Sequence, residues 1–379
     1  MRVLFLTHDR PSEFNGAHRQ RCHNPAAWLK AIGIDAEVRW IYERHVDLSA
    51  DLVILHRPFL DGHTARLIIR AAARGSIVAY ETDDLLFDPA AETFLRKIER
   101  TKLANGISSA RSALTACDAA IVSTSPIARA VEKNSKPAWI LRNGLSVEFL
   151  AHATRVFQQK IPPGERLVLG YFSGSSTHQA DFAQIEHALV QILDRHSGVH
   201  LLVVGALMIP ESLRKFESRV HLRPMVPYAS LPDEIARADL NLVPLELDEP
   251  FCHSKSELKY IEAAACGVPS IASSTEPFAQ AIRHGQTGFL VDHGGDWMQT
   301  IESAISDPQR LRKLGEQARD DVLERCVPKV RALEWKLAID EMQEQFGEST
   351  KKRRCPFVSA GLGLHAWLGS VLDKARDRT

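Results

Sequence analysis

Short apolar runs bounded by charged residues, glycine or proline recur along the first half of the chain. Val3 to Leu6, Leu52 to Leu55, Ile77 to Tyr80, Ala119 to Val122 and Trp139 to Leu141 each have strand length. Runs of this kind, apolar on both faces, predict buried parallel strands. Between them lie helix-length segments at Asn24 to Ile32, Thr64 to Ala73, Thr93 to Cys117 and Ser125 to Lys133. The alternation of strand and helix predicts an α/β, doubly wound domain.

Around Gln158 to Gly164 paired prolines and a glycine interrupt the pattern, and a new strand, Leu167 to Phe172, follows. A domain boundary is expected there, giving domains over 1–160 and 161–327. The alternation resumes with strands at Leu201 to Val204, Val220 to Leu222, Leu240 to Pro244, Ser270 to Ser273 and Phe289 to Val291. Residues 308–346 read as helix interrupted near Pro328, with 328–347 leaning back across the first domain. The remainder, 348–379, opens on Lys351-Lys352-Arg353-Arg354 and continues into a segment where Leu364, Leu368 and Val371 share a helical face beside Trp367. A basic stretch followed by an amphipathic one suits peripheral contact with a membrane surface through 351–372, and a solvated charge run followed by a docked helix suits it too.

At 379 residues the chain is long enough for two cores, since single cores stop growing near about 250 residues. With 47 basic and 47 acidic side chains the net charge is zero, which leaves no overall electrostatic footprint for nucleic acid. The six cysteines form no C-x-x-C pair and no repeating spacing, so neither a zinc site nor a disulfide framework is expected, and a reducing cytoplasm is the simplest compartment. No run approaches the roughly 20 apolar residues of a membrane span, and a cytoplasmic protein, at the inner face of the membrane if the tail binds it, is the expectation.

The chemistry concentrates between Ser254 and Glu262. A strand, Leu240 to Pro244, leads through a polar loop into Ser254-Lys-Ser-Glu-Leu-Lys-Tyr-Ile-Glu262, and Gly267 and Pro269 end the helix. Ser254 and Glu257 have the spacing of a capping box, which predicts a helix start at Ser254. In an open α/β sheet such a start lies at the ligand crevice and offers free N–H groups to an anion. Lys255, Lys259 and Glu262 stand at i, i+4 and i+7 on one face, so two ammonium groups precede a carboxylate about two turns deeper. A nucleotide presents charges in that order, phosphates first and ribose hydroxyls after. A capped helix with a Lys259–Glu262 surface pair would give the same spacing.

Lys259-Tyr-Ile-Glu262-Ala-Ala-Ala-Cys-Gly-Val-Pro, followed by Ile282-Arg-His-Gly-Gln-Thr-Gly288-Phe-Leu-Val, resembles the donor-site signature of the retaining glycosyltransferases of family 4. Cys117-Asp-Ala-Ala-Ile-Val-Ser-Thr-Ser and Arg142-Asn143-Gly144 resemble that family's last first-domain strand and the Asn-Gly before its linker. The similarity spans roughly residues 1–340. It implies a GT-B fold, two facing Rossmann-like domains with the donor held by the second and the acceptor largely by the first. It also implies Glu262 as the ribose carboxylate, Lys255 as a phosphate contact, and Val226-Pro227-Tyr228 beside the base. Two departures accompany it: Ser254-Lys-Ser stands where the family carries a first glutamate and a Gly-Phe-Gly loop, and Gly174, Ser175 and Ser176 stand where many relatives carry an arginine and a lysine. These three residues offer amide and hydroxyl donors, or form a plain turn.

In the first domain, Glu81-Thr-Asp83-Asp84 puts three carboxylates at a strand end. Asp84 or Asp83 is expected to orient an acceptor hydroxyl or act as base, unless Asp83 only caps the next helix. His56 follows a strand directly and belongs at the cleft edge, where lone histidines are also often structural. Gly16 and Arg19 lie in a segment similar to the family's glycine-containing loop after the first strand, where close backbone approach to the sugar or its phosphate is useful. The expected reaction is transfer of a sugar from a nucleoside diphosphate sugar to a glycan or lipid-linked acceptor hydroxyl, with retention, without a metal or other cofactor, in polysaccharide or cell-surface glycan assembly. The serine at 254 keeps open a non-catalytic nucleotide-sugar-binding or assembly protein, and the GT-B architecture keeps open a sugar-nucleotide epimerase.

Overall fold

The computed structural model describes residues 1–9, 16–92, 103–159, 166–174 and 178–353. All eleven expected strands form where the apolar runs lie, and with one more they assemble into two six-stranded parallel sheets. The first contains β1 (Arg2–Thr7), β2 (Asp35–Trp40), β3 (Leu52–His56), β4 (Ile77–Thr82), β5 (Ala119–Val122) and β6 (Ala138–Ile140), in the order β2-β1-β3-β4-β5-β6. The second contains β7 (Leu167–Ser173), β8 (Val199–Gly205), β9 (Val220–Arg223), β10 (Leu240–Val243), β11 (Ser270–Ser273) and β12 (Phe289–Val291), in the order β12-β11-β10-β7-β8-β9.

The strand that the apolar pattern misses is β2, an edge strand with one neighbour, β1. Its sequence, Asp-Ala-Glu-Val-Arg-Trp, carries three charged residues, because an edge strand leaves part of its surface in water. Strand order reverses between β1 and β3 in the first sheet and between β7 and β10 in the second. These switch points open the crevices in which parallel sheets hold ligands, and they fix where the cleft lies.

The helix Val147–Gln159 corrects the expected domain boundary. It packs on Leu231–Ile235 and Leu258–Ala265 of the second domain, with Phe149 stacked on Tyr228 at 4.9 Å. By contacts the second domain therefore begins before residue 147; the Pro-Pro-Gly interruption marks the loop leading into its first strand. Residues 160–165 lie outside the described residues.

After Pro308–Arg325, the helix Pro328–Arg353 returns to the first domain as expected, and it runs six residues past the expected end at 347. Trp335 is fully buried and packs on Phe5 at 5.6 Å, in a cluster with Val3, Trp28, Ile339 and Met342. The first sheet thus has one face covered by the end of the described chain. The linker passes between the same elements: a Cβ on Gly144 would lie 2.7 Å from Arg331 Cγ and 3.1 Å from the Trp28 ring, so only glycine fits. The expected membrane-contact segment falls almost wholly beyond residue 353, outside the described residues. No described helix is long and apolar enough to cross a membrane.

Truncation of a fully buried tryptophan removes both its transfer energy and its packing contacts, a loss of about 3–5 kcal/mol. Trp335→Ala is expected to lower unfolding stability by that amount in denaturant titration. It should also speed amide exchange along 328–353 before the second domain is affected.

Candidate functional site

The two switch points face each other across a cleft of about 590 Å³. The second domain contributes Gly174 after β7, Val226 and Tyr228 after β9, and Lys255, Ser256, Lys259 and Glu262. The first domain contributes Gly16, Arg19, Gln20, Arg57, Asp83 and Asp84. Residues separated by more than two hundred positions are brought together, and most were legible as strand-end or helix-face positions. Ser175 and Ser176, expected beside Gly174, lie outside the described residues.

Ser254 does not start the helix. The chain leaving β10 makes a 3₁₀ turn, Pro250–Ser254, and the α-helix proper is Leu258–Ala265, preceded by Glu257 at its cap position. The Ser254 side chain is fully buried and its Oγ donates to the Phe251 carbonyl at 2.7 Å, so no capping box forms. The Glu257 carboxylate instead accepts from Arg142 at 3.0 Å. Lys255 is in extended conformation, outside the helix, yet it still reaches the same side as Lys259 and Glu262.

Lys255 Nζ donates to Asp181 at 2.8 Å, and His178 Nδ1 meets the same carboxylate at 2.8 Å. Burial works to raise the Asp181 carboxyl, but His178 and Lys255 together hold it below its usual range. Burial would lower Lys255; Asp181 outweighs it and the ammonium is raised. Lys259 lies 5.3 Å above the Tyr171 ring, and burial with repulsion from Lys255 pushes it down to about 8. His178 is lowered to about 4, by Lys259 first and burial second, so the ring is neutral at pH 7. This end of the cleft is a nest of cationic nitrogen around one buried carboxylate.

Glu262 sits at the other end, nearly buried, and burial pushes its carboxyl up to about 7 in spite of a hydrogen bond from Tyr228 and the charge of Lys259. The Tyr228 hydroxyl also accepts from Gln20 Nε2 at 2.9 Å, and the Arg19 guanidinium stands 4.4 Å above its ring. Tyr228 is thereby touched by both domains. Gly205, at the end of β8, has φ +115°, and a Cβ there would fall 1.8 Å from the Ser173 carbonyl oxygen; glycine is required for β7 and β8 to end side by side at the cleft.

On the first-domain side, Arg57 binds Asp83 at 2.6 Å and Asp84 at 2.5 Å. Burial works against ionisation of both; Arg57 holds Asp83 below its ordinary value, while Asp84, with the Asp83 charge beside it, is raised. Arg57 has φ +46°, a conformation that costs an L-residue about 1–2 kcal/mol and is held here by its two charged hydrogen bonds. Its guanidinium bridges the carboxylate pair, and Asp83 caps no helix among the described residues. His56 is corrected: it lies beneath the cleft floor, fully buried, with Nδ1 at 2.5 Å from Glu81, and not at the edge where a substrate passes. Glu81 in turn pairs with buried Arg21 at 2.6 Å. Sequence reasoning gave no role to Arg57 or Asp181. Arg57 follows β3 directly, and the strand-end argument used for His56 reaches it; Asp181 is signalled only by standing three residues after His178.

Residues 167–307 match the family model described as glycosyl transferases group 1. The matched stretch lies within the second domain. Relatives include the D-inositol 3-phosphate glycosyltransferase of Rhodococcus opacus, 34% identical over 138 residues, which are 33% of this chain and 30% of that protein. The corresponding enzyme of Gordonia bronchialis is 39% identical over 101 residues, 26% of this chain and 20% of that one. The matched stretch thus spans less than a third of the length of these relatives. Solved structures show the fold across nearly the whole chain. Anabaena HepE in complex with UDP and glucose has TM-score 0.60 at 17% identity, covering 90% of this chain and 100% of that one. The sucrose-phosphate synthase of Thermosynechococcus elongatus has TM-score 0.62 at 14% identity, covering 91% and 100%. The architecture is GT-B, as the sequence resemblance implied.

The raised Glu262 carboxyl has a consequence for stability. The folded state holds the Glu262 proton more firmly than the unfolded chain does, so its contribution is full below the ordinary value of 4.5 and is lost as pH rises through about 7. Glu262→Gln, which keeps the bond from Tyr228, is expected to be more stable than the parent at pH 8 by about 1–3 kcal/mol and nearly equal to it at pH 5. Denaturant midpoints measured at the two pH values check this; a difference that does not grow with pH would contradict the burial assigned to the carboxylate.

Proposed function

We propose that this chain is a glycosyltransferase that moves a sugar from a nucleoside diphosphate sugar to an acceptor hydroxyl, with retention, in the assembly of a polysaccharide or cell-surface glycan. The observation that carries the reading is the linear order of charge across the second-domain wall, two ammonium groups at one end and a buried carboxylate at the other. Glu262 accepts from the vicinal hydroxyls of the ribose, and Val226 and Tyr228 flank the base. Lys255, Lys259 and the backbone at Gly174 receive the diphosphate, with Ser175 and Ser176 as further donors. The relatives bear glycosyltransferase names and HepE was crystallised with UDP, which supports a nucleotide diphosphate as the leaving group.

In this reading the charge that develops on the departing diphosphate is stabilised by preorganised cations, and no protein acid is needed to release it. No metal is required, because Lys255 and Lys259 supply the positive charge. Asp84, with the more proton-retentive carboxyl of the pair, orients the acceptor hydroxyl, and Asp83 with Arg57 fixes its direction. Gly16 and Arg19 close the first-domain wall over the donor. Apposition of the two domains excludes water, so that transfer competes with hydrolysis. The acceptor is a glycan or a lipid-linked molecule.

A thermal-shift panel of UDP, ADP and GDP is expected to give stabilisation by at least one of them, because a ligand that binds only the folded state raises its apparent stability. Glu262→Ala should abolish the shift, and Lys255→Ala should lower turnover with the matching sugar nucleotide by about 100-fold. No stabilisation by any nucleotide sinks the proposal. Conversion of the donor without any acceptor, to an epimer, replaces transfer by another chemistry on the same fold.

The pH dependence of nucleotide affinity in the free protein follows from the two shifted groups. Below about 7 Glu262 holds a proton and loses acceptor capacity; above about 8 Lys259 loses its charge. Affinity measured by calorimetry should therefore be greatest between about 7 and 8 and fall on both sides. An affinity that keeps rising from pH 7 to 10 would contradict a phosphate role for Lys259.

A further inference from the structure

We infer that Arg142 and Asn143, at the end of the first domain, are positioning residues that hold the Ser254–Glu257 segment and thereby set Lys255 and Ser256 at the diphosphate. The inference rests on the donor-site reading above. Lys255 lies on an extended stretch between a 3₁₀ turn and an α-helix. On both sides of it the chain is gripped from the other domain. Thr124 Oγ1 donates to the Ser254 carbonyl at 3.0 Å, Asn143 Nδ2 donates to Ser256 Oγ at 2.8 Å, and Arg142 Nη1 donates to Glu257 Oε1 at 3.0 Å. Three successive contacts from one domain thus bracket a phosphate-binding lysine of the other.

The grip is itself rigid. Asn143 is buried, its Oδ1 accepts from Arg21 Nη1 at 3.0 Å, and its backbone carbonyl accepts from Arg331 Nε at 3.0 Å. Arginine only donates, so the amide oxygen must face Arg21 and the amide nitrogen must face Ser256. The side-chain orientation therefore follows from chemistry. Arg21 is anchored in turn on Glu81, at the end of a first-domain strand. A continuous path runs from β4 through Glu81, Arg21 and Asn143 to Ser256.

The Ser256 oxygen accepts from Asn143, so its own O–H is left to donate, and Ser256 lines the cleft. Asn143 therefore converts a hydroxyl of either polarity into a hydrogen-bond donor aimed at an anion, beside the ammonium of Lys255. The second domain holds the donor's phosphates with a geometry that is complete only when the first domain is in place.

A double-mutant cycle in the full chain tests this, with nucleoside diphosphates (UDP, ADP, GDP) and inorganic pyrophosphate as probes and calorimetric affinity as readout. Asn143→Ala and Arg142→Ala are each expected to weaken the tightest-binding diphosphate about tenfold in the parent. In a Lys255→Ala background the loss from Arg142→Ala should fall below about twofold, and that from Asn143→Ala should shrink while keeping the part that acts through Ser256, because residues acting through a shared partner are non-additive. Arg142 is less buried than Asn143, with about a quarter of its side chain exposed at 26%, so Arg142→Ala carries the test if Asn143→Ala does not fold. Equal losses in both backgrounds, or no loss in the parent, overturn the positioning role while leaving the donor site standing. A parent chain that binds neither a nucleoside diphosphate nor pyrophosphate overturns the donor-site reading, and this inference falls with it.

Discussion

The ion pair between Arg21 and Glu81 is the interaction on which the arrangement of this molecule turns. Both groups are fully buried, and neither would be tolerated there alone: an uncompensated charge at such a site costs about 3–5 kcal/mol. Arg21 also reaches the Leu141 carbonyl at 2.7 Å and the Asn143 side chain, so the end of the first domain is tied to its central strand. Glu81 engages His56 with its other oxygen. The residues that cross from one domain to the other therefore spring from a fixed point, and the cleft has a defined width because its back wall is defined.

The walls of that cleft follow opposite electrostatic strategies. On the second-domain side, Lys255 and Lys259 stand together beside the Asp181 carboxylate, with Glu262 farther along the wall, which suits an incoming polyanion. On the first-domain side, Arg57 is shared by two carboxylates, so it brings no unpaired positive charge to the cleft and the polarity there is directional. The contrast fits a site in which one partner is bound by charge and the other by orientation. It also explains why two carboxylates in adjacent positions differ in how firmly they keep a proton: they share one guanidinium under crowding that favours neutrality.

The sequence made the sheets legible because parallel strands covered on both faces are continuous apolar runs, and β2 escaped because an edge strand need not be one. Glu262, Lys259 and Lys255 were legible as one face of a helix even though Lys255 turns out to precede that helix. A residue in extended backbone just before a helix can share its face, so the spacing was a sound guide to the side and an unsound one to the conformation. Ser254 misled for a related reason: the serine-to-glutamate spacing that makes a capping box also arises when the serine bonds back into its own turn, here to Phe251, and the glutamate is recruited by a tertiary partner, here Arg142. His56 misled because a strand end can lie one layer below the crevice as well as on it. Asp181 and Arg57 were hard to see because their roles are set by partners far away in the chain, and spacing carries no record of those.

The return of Pro328–Arg353 to the first sheet has a consequence for how the protein is made. The face formed by Val3, Phe5 and Trp28 is covered by Trp335, Ile339 and Met342, which are synthesised about three hundred residues later. At about 5–20 residues per second the nascent amino-terminal domain leaves the ribosome with that face bare for on the order of 15 to 60 seconds. The domain translated first is therefore completed last, and its apolar surface is a natural target for a holdase chaperone during translation. Premature termination between residues 292 and 334 would yield a chain with both sheets encoded and one face of the first permanently uncovered.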